Sequence, residues 1–293
     1  MLLTLVTLAS LALAQETDTT FAVQPGTRLE VSNFGGEIAV RAWTENRVRI
    51  RASHSSRDRI EISVSAAEVS VRSESRRGPS QLVEYDITVP QWMALNLSGV
   101  YTDIAVEGTQ ASVAAETVEG DVTLKGGGGT VTLRSVEGAV TVTDTRGGVD
   151  ANSVEGEIRI SGASGEIVAE TVDGDIVLER IESASVEANT VDGDIYYDGA
   201  IRDNGRYRFA THDGDLTVSV PERANVTVTV ASFDGEFDAS FPVRITEQRK
   251  RRFTFTIGTG SARMELESFD GDIRLRRPGH VRDGSNDEQS NHE

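Results

Sequence analysis

Ser153-Val-Glu-Gly-Glu-Ile158, Thr171-Val-Asp-Gly-Asp-Ile176 and Thr190-Val-Asp-Gly-Asp-Ile195 are three copies of one hexapeptide. With its glycine taken as a zero mark, the signature recurs at Gly120, Gly138, Gly156, Gly174, Gly193, Gly214, Gly235 and Gly271. The spacings are 18, 18, 18, 19, 21, 21 and 36 residues. Degenerate copies place Thr102 and Gly36 at the mark. A recurring period near 18 is the signature of stacked, quasi-identical units.

The columns around the mark say what each unit is. Two residues after it stand Ile104, Val122, Val140, Ile158, Ile176, Ile195, Leu216, Phe237 and Ile273; seven before it stand Leu95, Val113, Val131, Val149, Ile167, Val186, Tyr207, Val228 and Met264. Offsets −5 and +4 are apolar or Ala, whereas −6, −4 and +3 are mostly Glu, Arg, Thr, Asn or Ala. That alternation of period two describes strands with one buried face. Each unit therefore reads as two short strands around an Asx-Gly corner.

Two architectures fit such a corner. A two-residue Asp-Gly turn makes a β-hairpin, pairing −3 with +2 and −5 with +4, and a chain of hairpins gives a meander or sandwich. A β-solenoid uses the same glycine at a corner of positive φ and stacks equivalent residues of successive coils about 4.8 Å apart. The solenoid is preferred, because a meander gives no reason for every hairpin to keep one length and one residue at each offset. Gly126 to Gly129, Gly147-Gly148 and Gly162 to Gly165 supply second corners. One unit buries four or five side chains at roughly 1.5–3 kcal/mol each, less than the cost of ordering about 18 residues, so stability must come from stacking several coils with protected ends.

Residues 1–14 are a short apolar run ending in Ala12-Leu13-Ala14 and read as a secretory signal, with Gln15 as the mature start. The run is shorter than the roughly 20 residues that span a bilayer, and no later segment is apolar enough to do so. Residues 15–28 read as a polar leader and residues 29–277 as one domain. Within it, 29–92 form an irregular strand-rich cap, 93–238 the regular repeats, and 239–277 an insertion and the last repeat. Phe253-Thr-Phe-Thr-Ile257 is expected to be a strand, the basic run 248–252 a turn or loop, and 278–293 a disordered tail. No segment has helical periodicity.

The formal net charge is −18, and residues 103–238 hold 27 acids against 9 bases. No broad basic face is offered to phosphates, which argues against nucleic acid as a partner. The absence of Cys removes disulfides, thiol catalysis and thiolate metal sites. The acidic pairs flanking the corner are the main candidate feature. Carboxylates of Asp173, Asp175, Asp192, Asp194, Asp213 and Asp215, stacked at 4.8 Å, would repel by roughly 0.9 kcal/mol even at the dielectric of water, which invites a cation such as Ca²⁺. The alternative is that Asp-Gly serves the turn and the carboxylates keep the surface soluble. His212 departs from the Val or Phe usual at its offset and, beside Asp213 and Asp215, is the one candidate for an asymmetric metal or acid–base site. Tyr197, Tyr207 and Phe209 fall at inward offsets and Tyr196 at an outward one. The basic run 249–252 could touch an anionic polymer or lipid, or simply be a solvated loop.

Leu29-x-Val-x-Asn-x-x-Gly-Glu-Ile38, Asp86-Ile-Thr-Val-Pro90, the repeated Thr-Val-Asp-Gly-Asp-Ile and Glu267-Ser-Phe-Asp-Gly-Asp-Ile-Arg-Leu275 resemble the bacterial putative-adhesin family of β-strand-repeat domains of unknown function. The resemblance covers nearly the whole mature chain and implies an extracytoplasmic, non-catalytic strand solenoid; it brings no set of functional residues. The expectation is thus an exported, non-catalytic scaffold, periplasmic, secreted or at the cell surface, with no cofactor other than Ca²⁺ and an open question between end-to-end self-association and a glycan or protein partner. The rival readings are a glycan- or protein-binding module and a carbohydrate-active hydrolase or lyase centred near His212.

Overall fold

The two short strands of each unit hydrogen-bond not to one another but to the equivalent strands of the neighbouring unit. The computed structural model, which describes residues 15–75 and 82–278, contains 25 strands and, among the described residues, no helix. Val113–Glu116, Val131–Arg134, Val149–Asn152, Ile167–Glu170 and Ser185–Asn189 form one parallel ladder. Val122–Lys125, Val140–Thr143, Ile158–Ser161, Ile176–Ile181 and Ile195–Gly199 form a second. Register joins like to like: Val131 faces Val113 and Val149, and Val140 faces Val122 and Ile158. Parallel pairing at one coil per step excludes the hairpin meander and establishes a β-solenoid.

The apolar columns fill the interior. Val131, Leu133, Val140 and Val142, at offsets −7, −5, +2 and +4 of one coil, are all fully buried, and their equivalents repeat this through the stack. Phe237 and Ala239 are only half-buried, because they belong to the outermost coil. Where the spacing lengthens, large aromatics fill the wider coils: Tyr197 lies 5.0 Å from Phe209 and 6.0 Å from Tyr207 between ring centroids. The Tyr207 hydroxyl accepts from the Arg202 amide at 2.7 Å and donates to the Ser183 carbonyl at 3.0 Å, pinning the additional loop residues. Burial pushes the Tyr197 and Tyr207 phenols up. Tyr196 is half-buried on the outer side.

Stacking, more than turning, is what demands glycine at the corner. A Cβ added to Gly193, whose φ is 149°, would overlap the carbonyl oxygen of Gly174 in the preceding coil. At the second corner a Cβ on Gly147 would overlap the Gly129 carbonyl in the same way. The coils are also joined there by a third line of amide bonds, from Gly127 to Thr109 at 2.9 Å, Arg146 to Gly127 at 3.0 Å and Ser164 to Thr145 at 3.2 Å.

Both ends depart from the sequence order. The coil Arg28–Trp43 lies between Leu95–Glu107 and a coil made of Glu68–Ser75 and Val83–Pro90. Antiparallel strands then close that end: Arg47–His54 on Val83–Pro90, Asp58–Val64 on Glu68–Ser75, and Gln15–Ala22 on Arg47–His54. The expected polar leader is therefore in large part a strand. Its side chains are polar because it is an exposed edge, and Asp18 is ion-paired to Arg49 at 2.6 Å. The irregular cap likewise contains two further coils. At the other end the last coil, Ala262–Asp270 with Ile273–Arg276, is inserted between Arg206–Asp213 with Leu216–Ser219 and Val226–Asp234 with Phe237–Ala239. The 36-residue spacing holds a hairpin, Ile245–Arg249 with Arg252–Ile257, that pairs antiparallel on Val226–Asp234 and caps the stack. Antiparallel caps and charged edge residues blunt the open strand edges that invite end-to-end pairing. No helix among the described residues is long and apolar enough to cross a membrane. The segment 1–14 and residues 279–293 of the expected tail lie outside the described residues.

Gly193→Ala should destabilise the chain by about 2–4 kcal/mol, through overlap with the neighbouring coil and backbone strain. Gly148→Ala, whose added Cβ would meet nothing nearer than 3.7 Å, should be tolerated. Equilibrium urea unfolding of both variants checks the difference.

Candidate functional site

The corner carries four columns with different tasks. Innermost, at offset −3, are Ser and Thr hydroxyls. Thr117 donates to the Thr102 carbonyl at 2.9 Å, Ser135 to Gly120 at 2.9 Å, Ser153 to Gly138 at 3.1 Å, Thr171 to Gly156 at 3.2 Å and Thr190 to Gly174 at 3.1 Å. Each buried hydroxyl thus satisfies the carbonyl at the mark of the preceding coil. The sequence shows Ser or Thr at −3 in each of these coils, but the column is informative only once stacking is known.

The acidic pairs divide between two other columns. Asp173, Asp192 and Asp213, at −1, are linked by backbone bridges and leave their side chains exposed. At +1, each Asp reaches along the stack to an amide: Asp175 Oδ1 accepts from Asp194 N at 2.9 Å, Asp194 Oδ1 from Asp215 N at 2.8 Å, and Asp215 Oδ1 from Asp272 N at 2.8 Å. Asp272 continues the line by accepting from Glu236 N at 2.9 Å. That amide, followed by the Arg274 guanidinium, holds the Asp272 carboxyl below the usual carboxylate range. Arg274 donates to both Asp215 and Asp272. The repulsion expected of a carboxylate stack is offset here by amide dipoles and one guanidinium. Among the described residues no group of three His, Asp or Glu side chains converges as a metal site would require.

The fourth column, at −2, points outward and is apolar. In spatial order it runs Phe34, Val100, Val118, Val136, Val154, Val172, Val191, His212, Phe269 and Phe233. Val172, Val191, Phe269 and Phe233 are 47–52% exposed, and Val118, Val136 and Val154 are 41–44% exposed. A groove of about 380 Å³ lies along the ridge, lined by Val118, Val136 and Val154 with Glu116, Arg134 and Asn152. Contiguous exposed apolar surface rimmed by charge is the usual mark of a contact site.

His212 lies within this ridge. Its ring packs edge-on against Phe269 at 4.7 Å between centroids, and Phe269 stacks on Phe233 at 4.4 Å and 8°. The guanidinium of Arg251 sits 3.3 Å from the Phe233 ring centre. Together they border a cavity of about 530 Å³ whose walls also include Arg208, Arg249, Arg252 and Glu267. His212 and the basic run 249–252 are far apart in the sequence; the inserted last coil and the capping hairpin bring them together. Hydrolysis by paired carboxylates needs two such groups across the scissile bond, and Glu267 is the one carboxylate lining this cavity among the described residues.

Thr171→Val should cost about 1–2 kcal/mol by leaving the Gly156 carbonyl unsatisfied, whereas Thr171→Ser should keep most of the stability; thermal and urea unfolding distinguish them. Because the Asp272 carboxyl is depressed in the folded chain, its contribution is complete above the ordinary Asp range and disappears as pH falls through the folded value. Asp272→Asn should flatten the acid limb of a stability–pH profile.

No curated protein matches the chain. One solved structure, a putative cell adhesion protein from Clostridium sporogenes, is similar over 90% of this chain and 100% of its own, at 12% identity and a TM-score of 0.23, too loose a superposition to bear on role. The family model described as Toastrack DUF4097 matches residues 7–276, nearly the whole sequence. The chain belongs to the Toastrack DUF4097 family of strand-repeat proteins.

Proposed function

We propose that this protein is a non-catalytic, exported, adhesin-like scaffold that binds a partner along its apolar corner ridge. The observation that carries the reading is the −2 column: of the ten coils in which this position is described, nine have an apolar residue there, most of them substantially exposed. Core requirements do not explain it, since the interior is filled from offsets −7, −5, +2 and +4. The acidic −1 column borders the ridge on one side, and Glu116, Arg134 and Asn152 border it on the other, so the partner that fits is a protein surface with an apolar strip bordered on one side by Lys or Arg. A second copy of this chain, also at −18, would be repelled. Export is supported by the apolar segment ending in Ala12-Leu13-Ala14.

The test is adherence of the labelled chain to envelopes of the cells that make it. Val154→Thr with Val172→Thr and Val191→Thr, which keep shape and charge, should lower binding by about tenfold or more, the loss expected when central apolar contacts are removed. The unfolding midpoint should stay where it was, because these side chains are already exposed. Undiminished binding would remove the ridge from the proposal. Export is checked by sequencing the N-terminus of secreted or periplasmic protein, expected to begin at Gln15.

Cation binding by the acidic ladder is a separate element. With Asp175, Asp194 and Asp215 each already accepting an amide, millimolar Ca²⁺ at fixed ionic strength should leave the unfolding midpoint unchanged relative to chelator. A rise abolished by Asp173→Asn with Asp175→Asn and Asp194→Asn would give the ladder a second role.

A further inference from the structure

We infer that the cavity at the C-terminal end of the ridge binds an acidic saccharide of the uronate type. It differs in charge from the rest of the molecule. In a chain of net charge −18 its walls carry the guanidiniums of Arg208, Arg249, Arg251 and Arg252 against the single carboxylate of Glu267. Arg249 is engaged by Glu247 at 2.7 Å. Arg208, Arg251 and Arg252 form no ion pair among the described residues, in a molecule where many other arginines do. Arginines left unpaired beside a cavity are placed to receive a carboxylate or phosphate in a bidentate manner.

The apolar side of the cavity points the same way. Phe233 and Phe269 stack, and Arg251 covers one ring, so the aromatic atoms turned toward the void are largely ring edges. Ring edges carry positive partial charge and sit comfortably beside anions and oxygen atoms. Glu267 decides between anions of different kinds. Hydrogen phosphate has a single hydroxyl to donate to a carboxylate, and a phospholipid brings its headgroup hydroxyls only on a flat surface, whereas a sugar acid presents several hydroxyl donors next to its own carboxylate and uses both. The void of about 530 Å³ lies between the outer face of the sheet and the capping hairpin. It is a recess in the range of ordinary small-ligand sites, whereas a membrane would call for a flat face.

The site shares His212, Phe269 and Phe233 with the end of the ridge proposed above for a protein partner, but none of the valines of its middle. Its cations come from Arg208 on the strand Arg206–Asp213 and from the capping hairpin, where Arg249 and Arg252 stand at the ends of Ile245–Arg249 and Arg252–Ile257 and Arg251 lies in the turn between them. Changes at Val154, Val172 and Val191 should therefore leave saccharide binding intact, and the failure of one proposal does not entail that of the other.

The experiment is calorimetric titration of the full chain with a panel of uronate oligosaccharides, their methyl esters, inorganic phosphate, and vesicles of phosphatidylglycerol with phosphatidylcholine. At least one free-acid oligosaccharide should bind, its methyl ester about tenfold or more weaker, with affinity falling as salt is raised. Arg208→Gln with Arg251→Gln should weaken binding several-fold while the unfolding midpoint is unchanged, and Glu267→Ala, which leaves the sugar hydroxyls without that acceptor, should narrow the preference for the oligosaccharide over inorganic phosphate; an undiminished preference would overturn the role given to Glu267. The proposal is overturned if no uronate oligosaccharide binds, if the methyl ester binds equally, or if the arginine double variant retains full affinity. It is equally overturned if phosphate or the anionic vesicles bind and the oligosaccharides do not.

Discussion

The close approach of one coil to the next is the constraint on which this structure depends. Successive strands of a sheet lie about 4.8 Å apart, and every residue of a coil must fit directly over its equivalent. At the corner that distance leaves no room for a Cβ between the Gly193 and Gly174 backbones. The glycine column, the inward Ser and Thr hydroxyls and the matched apolar columns are three answers to this one spacing. A small unit could not stabilise itself, but a row of them shares a continuous core in which Val131 lies on Val149 and Val149 on Ile167.

The same spacing governs the charges. Carboxylates repeated at each step would oppose the stacking that sheet bonding enforces, and the fold answers by turning the +1 aspartates along the axis, where each meets an amide of the following coil. Where the residue at +1 is Glu157, an arginine two positions on, Arg159, pairs with it instead. The −1 carboxylates remain in solvent. What is left at the apex of the corner is a line of valine and phenylalanine that neither the core nor the electrostatics requires, and this gives the ridge functional weight.

Much of this was legible in the residues. The columns at −7 and +2 are apolar in every unit, and except for Phe237 in the outermost coil they lie inside as that pattern demands; Tyr197, Tyr207 and Phe209 likewise occupy the interior. The −2 column was equally visible, but a valine in a strand-rich motif does not announce which way it faces until the corner is built. Gln15–Ala22 has the composition of a polar leader because an edge strand needs no apolar face. The order of coils at either end was hidden more deeply: a gap of 36 residues between Gly235 and Gly271 looks like an interruption, and nothing local says that the later unit sits nearer the centre. The cavity around His212 was scattered for the same reason, its walls coming from residues 208, 233, 251 and 269, which are distant in sequence and adjacent only through that reordering.

That reordering has a temporal meaning. A solenoid whose coils followed the chain could add each turn as it emerged, and any prefix of the sequence would be a shorter version of the whole. Here the segment Val226–Asp234 has no parallel neighbour until Ala262–Asp270 arrives to join it to the strand Arg206–Asp213. The coil Ala262–Arg276 acts as a keystone, made after both of the coils it separates. Whatever binds beside His212 and Phe269 would then meet only finished molecules, so the recess would serve as a mark of completion as well as a place of contact.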